Sequence, residues 1–190
     1  MEARLPWERR RDDNYDEVMV LGTEVDLIAK IRLLWQGKLC PFRVEALHPA
    51  LSEQDRDFLV NVGLPQYEDV EYFCDGPAPD LLHEHGRTLV EIGLFEPPSV
   101  SLVVDAAEGS VFSIARWAPE RLTFRNSSLP LYVYIEGRLE QLYTMLPNLP
   151  REQQDQAIEQ TMRDFAELDP PSMLNNATSL AHSLHELLWE

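Results

Sequence analysis

From Thr23 onward the apolar residues Leu27, Ile28, Ile31, Leu34 and Trp35 recur at helical spacing, with Thr23 and Asp26 placed as a capping pair and Gly37 as the stop. A short extended segment over Phe42 to Leu47 is expected next, broken by Pro49. A second helix starts at Ser52, whose hydroxyl can cap it while Asp55 follows three residues on. Phe58, Leu59 and Val62 line its inner face. It stops in "NVGLPQ", where Gly63 suits the left-handed position after a helix and Pro65 blocks continuation. The period then changes from 3.6 to 2. Val70 to Cys74 and Leu89 to Phe95 are predicted strands separated by the turn-rich "DGPAPD". Val100 to Val104 and Val111 to Ala115 form a hairpin across a turn containing Gly109, and Leu122 to Phe124 adds a further strand.

The stretch "TFRNSSLPLYVY" marks a change of regime. Residues 131–135 alone resemble a strand, yet Leu131, Ile135, Leu139, Leu142 and Leu146 continue at helical intervals. One of Asn126, Ser127 and Ser128 is therefore read as an N-cap, Ser128 being the natural choice, with Pro130 in the first turn where a missing N–H costs little. Gly137 inside this helix costs about 1 kcal/mol relative to Ala, so tertiary packing must hold it. After Pro150 comes a polar helix with a thin stripe of Ala157, Ile158, Met162, Phe165 and Leu168, ended by Pro170 and Pro171. A last helix over Met173 to Trp189 carries Leu180, Leu184, Leu187 and Leu188. There is no repeat and no evident linker, so the expectation is one domain over residues 1–190, with residues 1–16 an irregular, charge-dense arm. The fold class is α+β, a mainly antiparallel sheet packed against several helices.

Composition supports a packed core without staples: 44% of the residues are hydrophobic, among them seven Phe, six Tyr and four Trp. Charge changes the picture more. The 33 acidic against 16 basic residues leave a formal net charge of -17. Residues 1–43 sum to zero, whereas residues 66–108 hold ten acids against the single Arg87. Such a field repels phosphate backbones and anionic lipid, so neither nucleic acid nor membrane is an expected partner; a basic protein is. Behind Arg9, Arg10 and Arg11 there is no apolar run of export length, and Cys40 and Cys74 form no CxxC, which together point to a reduced, cytoplasmic chain. A single disulfide between the two cysteines stays open at this point.

Catalytic constellations are weak. The flanks of Ser127 and Ser128 lack the glycines of a nucleophile elbow. Cys74 lies among Glu71, Asp75 and Asp80, which oppose thiolate formation. His83 and His85, with Asp80 and Glu84 nearby, are the one conceivable metal set and define a hydrolase alternative, but no further His or Cys pair stands at ligand spacing. No cofactor is expected and no catalytic residue is assigned.

The order of the pieces carries more information than any one of them. "FLVNVGLPQ", the hairpin "VVDAAEGSVFSI", the "FRNSSL" junction and the C-terminal helix together resemble the SUKH-4 group of the SMI1/KNR4-type (SUKH) superfamily of bacterial immunity proteins over most of residues 50–190. The resemblance implies a protein that acts by binding, occluding a cognate toxin that is often a nuclease or nucleic-acid deaminase. It also implies that Gly63, Pro65, Gly109, Asn126, Ser127 and Ser128 determine the fold rather than any chemistry. An intracellular scaffold or regulator on the same fold is the alternative binding role. On the charge argument the partner-binding candidates are Glu68, Asp69, Glu71, Asp75, Asp80 and Glu84, with Tyr67 and Tyr72 as exposed aromatic anchors.

Overall fold

The computed structural model describes residues 24–66, 70–79, 81–95 and 99–174, together with Leu180, Leu184 and Leu187; of residues 24, 25 and 119–121 it describes the main chain alone. The first helix, α1 (Glu24–Trp35), buries Leu27, Ile31 and Trp35, one residue per turn as the periodicity requires. The predicted Thr23 cap lies outside the described residues, and Asp26 pairs instead with Lys30 at 3.1 Å, one turn on. The extended segment expected over Phe42 to Leu47 is not formed. Leu39–Cys40 (β1) is the strand there, and Val44–Ala46 closes into a 3-10 turn that buries Ala46. Helix α2 (Glu53–Asn61) starts as expected, Ser52 Oγ accepting from the Asp55 N–H at 3.0 Å.

Gly63 follows at φ +86°, and any Cβ there would run into the carbonyl of Cys40. That close approach lets β2 (Leu64–Pro65) lie antiparallel to β1, with Leu39 opposite Pro65 and Cys40 opposite Leu64. The glycine thus ends a helix and admits a neighbouring main chain at one position.

Among the described residues the main sheet has six antiparallel strands: β3 (Val70–Tyr72), β4 (Leu81–Glu84), β5 (Arg87–Phe95), β6 (Val100–Asp105), β7 (Val111–Ala115) and β8 (Ala118–Asn126). Their order is β3-β5-β6-β7-β8, with β4 also on β5. The nine-residue β5 is shared along one edge: β4 pairs with its first half, β3 with its second, and the register shifts between Glu91 and Gly93. Two strands are longer or earlier than the pattern predicts. β8 extends well beyond Leu122 to Phe124, and "LLHE", not among the predicted strands, is β4, joined to β5 by a two-residue turn at His85 and Gly86, both at positive φ.

Helix α3 (Leu129–Met145) sits at the centre. Ser128 is its cap, accepting from the Leu131 N–H at 3.4 Å, and Pro130 stands in its first turn. Leu129, Tyr132, Val133, Tyr134 and Ile135 are all buried, so its first turns are enclosed on nearly every side. This is why "LPLYVYI" looked strand-like: a helix apolar all round has no stripe to read. Trp35 from α1 packs against Gly137, its indole N–H donating to the Val133 carbonyl at 3.0 Å, and a Cβ on Gly137 would lie 3.0 Å from that nitrogen. The helix-weakening glycine is the seat of the tryptophan.

Helix α4 (Arg151–Leu168) buries Ile158, Thr161 and Phe165, and the short α5 (Pro170–Met173) follows. Of the expected C-terminal helix, Leu180, Leu184 and Leu187 are described. They are helical, and the first two are buried in the core between helices and sheet. The helices thus cover one face of the sheet.

Candidate protein-interaction surface

Alternation along β6 assigns the two faces. Leu102 and Val104 point into the helix-covered core, whereas Ser101, Val103 and Asp105 point away from it. On that outer face Leu89, Val103, Phe112 and Ile114 form a second apolar cluster, with Leu82, Leu122 and Phe124 half-buried around it. Phe112 and Phe124, directly opposite in register, meet edge to face at 5.5 Å between ring centroids.

Ion pairs border the cluster. At one end Arg87 donates through one nitrogen to Asp105, at 2.5 Å, and to Glu108, at 2.7 Å, while its guanidinium lies 5.1 Å from the centre of the Phe112 ring. Asp105 is 2% exposed and its other oxygen accepts from the N–H groups of Ala107, at 2.8 Å, and Glu108, at 3.2 Å. Burial pushes this carboxyl up, but the bonds from Arg87, Ala107 and Glu108 outweigh it and hold the group below the ordinary carboxylate range. Donating to Glu108 and Asp105 in turn holds the Arg87 proton more firmly than usual. Toward the other end Arg116 reaches Glu91 at 2.6 Å and Ser101 Oγ at 3.0 Å, and Ser101 also donates to Glu91. The next residue, Trp117, stands at the β7–β8 turn with 66% of its surface open to solvent.

The acidic candidates divide into three groups. Glu71 on β3 and Glu84 on β4 both lie on this outer face, since Glu71 is opposite Leu94, itself opposite Ser101, and Glu84 is opposite Arg87. Asp75 is exposed just beyond β3 and pairs with Arg43 at 2.8 Å. Tyr67, Glu68, Asp69 and Asp80 lie outside the described residues. The expectation of an exposed Tyr72 is corrected: its ring rests on Gly93, where a Cβ would come within 2.7 Å of it, and the side chain packs half-buried against the core. The bulge beside Gly93 leaves the room that the ring takes.

The acidic imbalance of residues 66–108 is also smaller in space than in sequence. Arg43 and Arg116 come in from outside to Asp75 and Glu91. The sequence reading missed Arg116, Trp117 and the outer apolar cluster. The available signal was "TLVEIGLF", "SLVVD" and "VFSIA", runs too continuously apolar for strands with one wet face.

The remaining candidates hold the fold. Asn126 and Ser127 are not capping residues of α3; they bind Asp169, a carboxylate 1% exposed. It accepts from Asn126 Nδ2 at 3.0 Å, from the Ser127 N–H at 3.0 Å and from Ser127 Oγ at 2.6 Å. A contact across 42 residues thus ties the end of β8 to the start of α5 and holds the Ser127 hydroxyl as a donor to a buried carboxylate. Gly109, at φ +71°, turns the β6–β7 hairpin, its N–H donating to the Asp105 carbonyl. His83 sits on β4, its Nδ1 3.4 Å from Thr88 Oγ1, while His85 has left the strand for the turn, so the two do not stand on one strand as a pair. Among the described residues no group of three or more His, Cys, Asp or Glu could hold a metal ion, and no helix is long and apolar enough to cross a membrane.

The outer face thus carries a buried apolar cluster, ion pairs beside it and an exposed tryptophan at the β7–β8 turn. A family model described as SUKH-4 immunity protein matches residues 34–183. No curated protein and no solved structure matches the chain.

Proposed function

The chain belongs to the SUKH-4 immunity protein family, and from that premise we propose that it neutralises a cognate basic toxin domain, a nuclease or nucleic-acid deaminase, by stoichiometric occlusion in the cytoplasm. The observation that carries this reading is the placement of Glu71 and Glu84 on one face of the two strands that share one edge of β5, in a chain of net charge -17. A toxin that handles nucleic acid presents a phosphate-binding, electropositive site, for which carboxylates fixed on a rigid sheet are a competitor. The role asks for no catalytic group in the immunity protein. Tyr67, Glu68, Asp69 and Asp80, adjacent in sequence to these strands, and the exposed Asp75 belong to the same proposed surface, and the half-buried Tyr72 supports it from behind.

Electrostatic steering makes association fast at low salt and slower as screening grows. The test is co-expression with the toxin domain encoded beside the gene, followed by complex formation across a salt series. A one-to-one complex whose association slows with salt is expected. Replacing Glu71, Asp75 and Glu84 together by Lys is expected to slow association about tenfold or more. No complex at any ionic strength refutes the proposal, and an unchanged rate in the triple variant moves the interface elsewhere.

A further inference from the structure

The two cysteines, 34 residues apart in sequence, meet in the fold. Cys40 is the last residue of β1 and Cys74 follows β3, and the Cys74 thiol is directed at Cys40, its Sγ 3.9 Å from the Cys40 carbonyl oxygen. The main chain around this contact is held on both sides. Cys40 is paired with Leu64 in the two-stranded ladder and its carbonyl fits against Gly63, while the Cys74 carbonyl accepts from the Arg43 N–H at 2.9 Å. The two thiols differ in access, Cys40 half-buried and Cys74 buried.

We propose that Cys40 and Cys74 are an oxidation site, a dithiol that closes to an intramolecular disulfide on exposure to a low-molecular-weight disulfide. The step balances by two exchanges. The thiolate of Cys40, the accessible partner, attacks one sulfur of the reagent disulfide, forming a mixed disulfide and expelling one small thiolate. Cys74, deprotonated, then attacks the Cys40 sulfur, forming the protein disulfide and expelling the second small thiolate. The protein loses two electrons and two protons; the reagent takes both and leaves as two thiols. Burial, then contact with the Cys40 side chain and the charge of Asp75, pushes the Cys74 thiol up, so the second exchange is the slow one and quickens with pH. The bridge would tie β1 to the segment after β3 and enclose α2, β2 and β3 in a covalent loop. The exposed Arg43–Asp75 pair lies directly beside it. A disulfide in a reducing compartment is a responsive one, opened again when small thiols are restored. This inference stands independently of the toxin.

The experiment treats the full-length protein with oxidised glutathione at several pH values and reads the intact mass and the disulfide-linked peptides. The expected product has lost two hydrogens, carries no glutathione, yields a Cys40–Cys74 linked peptide and melts at higher temperature than the reduced protein. Cys74→Ala is expected to stop at the glutathione adduct on Cys40, and Cys40→Ser to react more slowly or not at all. A stable glutathione adduct on the unsubstituted protein, or no reaction at any pH, overturns the proposal. Peptide mapping of the unsubstituted protein decides this even where a variant folds poorly.

Discussion

The two faces of the sheet bury similar residues by different means. On the inner face Leu102, Val104 and Val111 share one large apolar core with Leu129, Tyr132 and Ile135 of α3, with the Ser113–Arg125 hydrogen bond on the same side. On the outer face Val103, Leu89 and Phe112 are equally inaccessible, yet the groups around them include Arg87, Asp105, Glu91 and Arg116. The inner face is a core in the ordinary sense; the outer one is a small apolar patch beside polar groups that hold each other in place. A core resists rearrangement through packed volume. A surface of this second kind keeps its shape through hydrogen bonds and leaves charge at its rim.

Adjacent residues on β6 provide the sharpest way to break the comparison. Leu102→Ala empties the helix-covered side and is expected to cost about 2–5 kcal/mol, whereas Val103→Ala, on the other side of the same strand, loses fewer atoms against a more yielding environment and should cost about 1–2 kcal/mol. Denaturant unfolding of both variants measures the difference; equal losses would mean that the outer face is packed as rigidly as the inner.

A smaller effect sorts the ion pairs. Arg87→Met strands the buried Asp105 with only its two main-chain donors and is expected to destabilise by about 1–3 kcal/mol. Arg116→Met leaves Glu91 with the Ser101 hydroxyl in a more open setting and should cost about 1 kcal/mol or less. Thermal melts at matched ionic strength rank the two, and the reverse order would shift the structural weight to the Trp117 end.

The smallest expected effect concerns pH. Asp55 and Asp105 are both buried, but in opposite senses. Asp55, at the start of α2, is pushed up by burial despite the bond from Ser52, whereas Asp105 is held down by its donors. Because its folded-state pKa is depressed, Asp105 stabilises the fold above the ordinary carboxylate range, and that contribution is lost as pH falls through its folded value. For Asp55 the raised value means that the charged form opposes folding at neutral pH, an opposition relieved as pH falls through the folded value toward the unfolded one. Stability of Asp105→Asn should therefore depend less on pH in the acid range than that of the unsubstituted protein. Asp55→Asn should be neutral or slightly stabilising at pH 7, with its advantage shrinking toward acid. Unfolding curves between neutral and acid pH measure both; parallel curves for all three proteins would contradict the assignment.

Much of this architecture was legible from spacing alone. Leu27, Ile31 and Trp35 at intervals of four, Ser52 three residues before Asp55, and Val100 to Ala115 folding about Gly109 are local statements, and local chemistry decides them. Ser128 was legible as a cap for the same reason, since the N–H it serves is three residues away. Its neighbours were not. Asn126 and Ser127 answer to Asp169, and no pattern within a turn or two announces a partner at that separation. The interface candidates suffered similarly: Tyr72 looked exposed because its neighbours are acidic, while its position depends on the space above Gly93. Arg116 carried no local signal of its pairing with Glu91, 25 residues earlier in the chain.

The sequence by itself determined most of the helices and strands, the excess of negative charge and the resemblance that the family match supports, because periodicity, caps, turn residues and net charge are properties of short stretches or of simple sums. Only the tertiary structure decided which carboxylates are consumed inside the fold and which face outward, which serine caps and which binds a distant aspartate, and that Cys40 and Cys74 meet. Those outcomes depend on which strands share β5 and where the chain returns. Contacts between residues dozens of positions apart form only once the core has brought them together, so their energies leave no periodic trace along the chain.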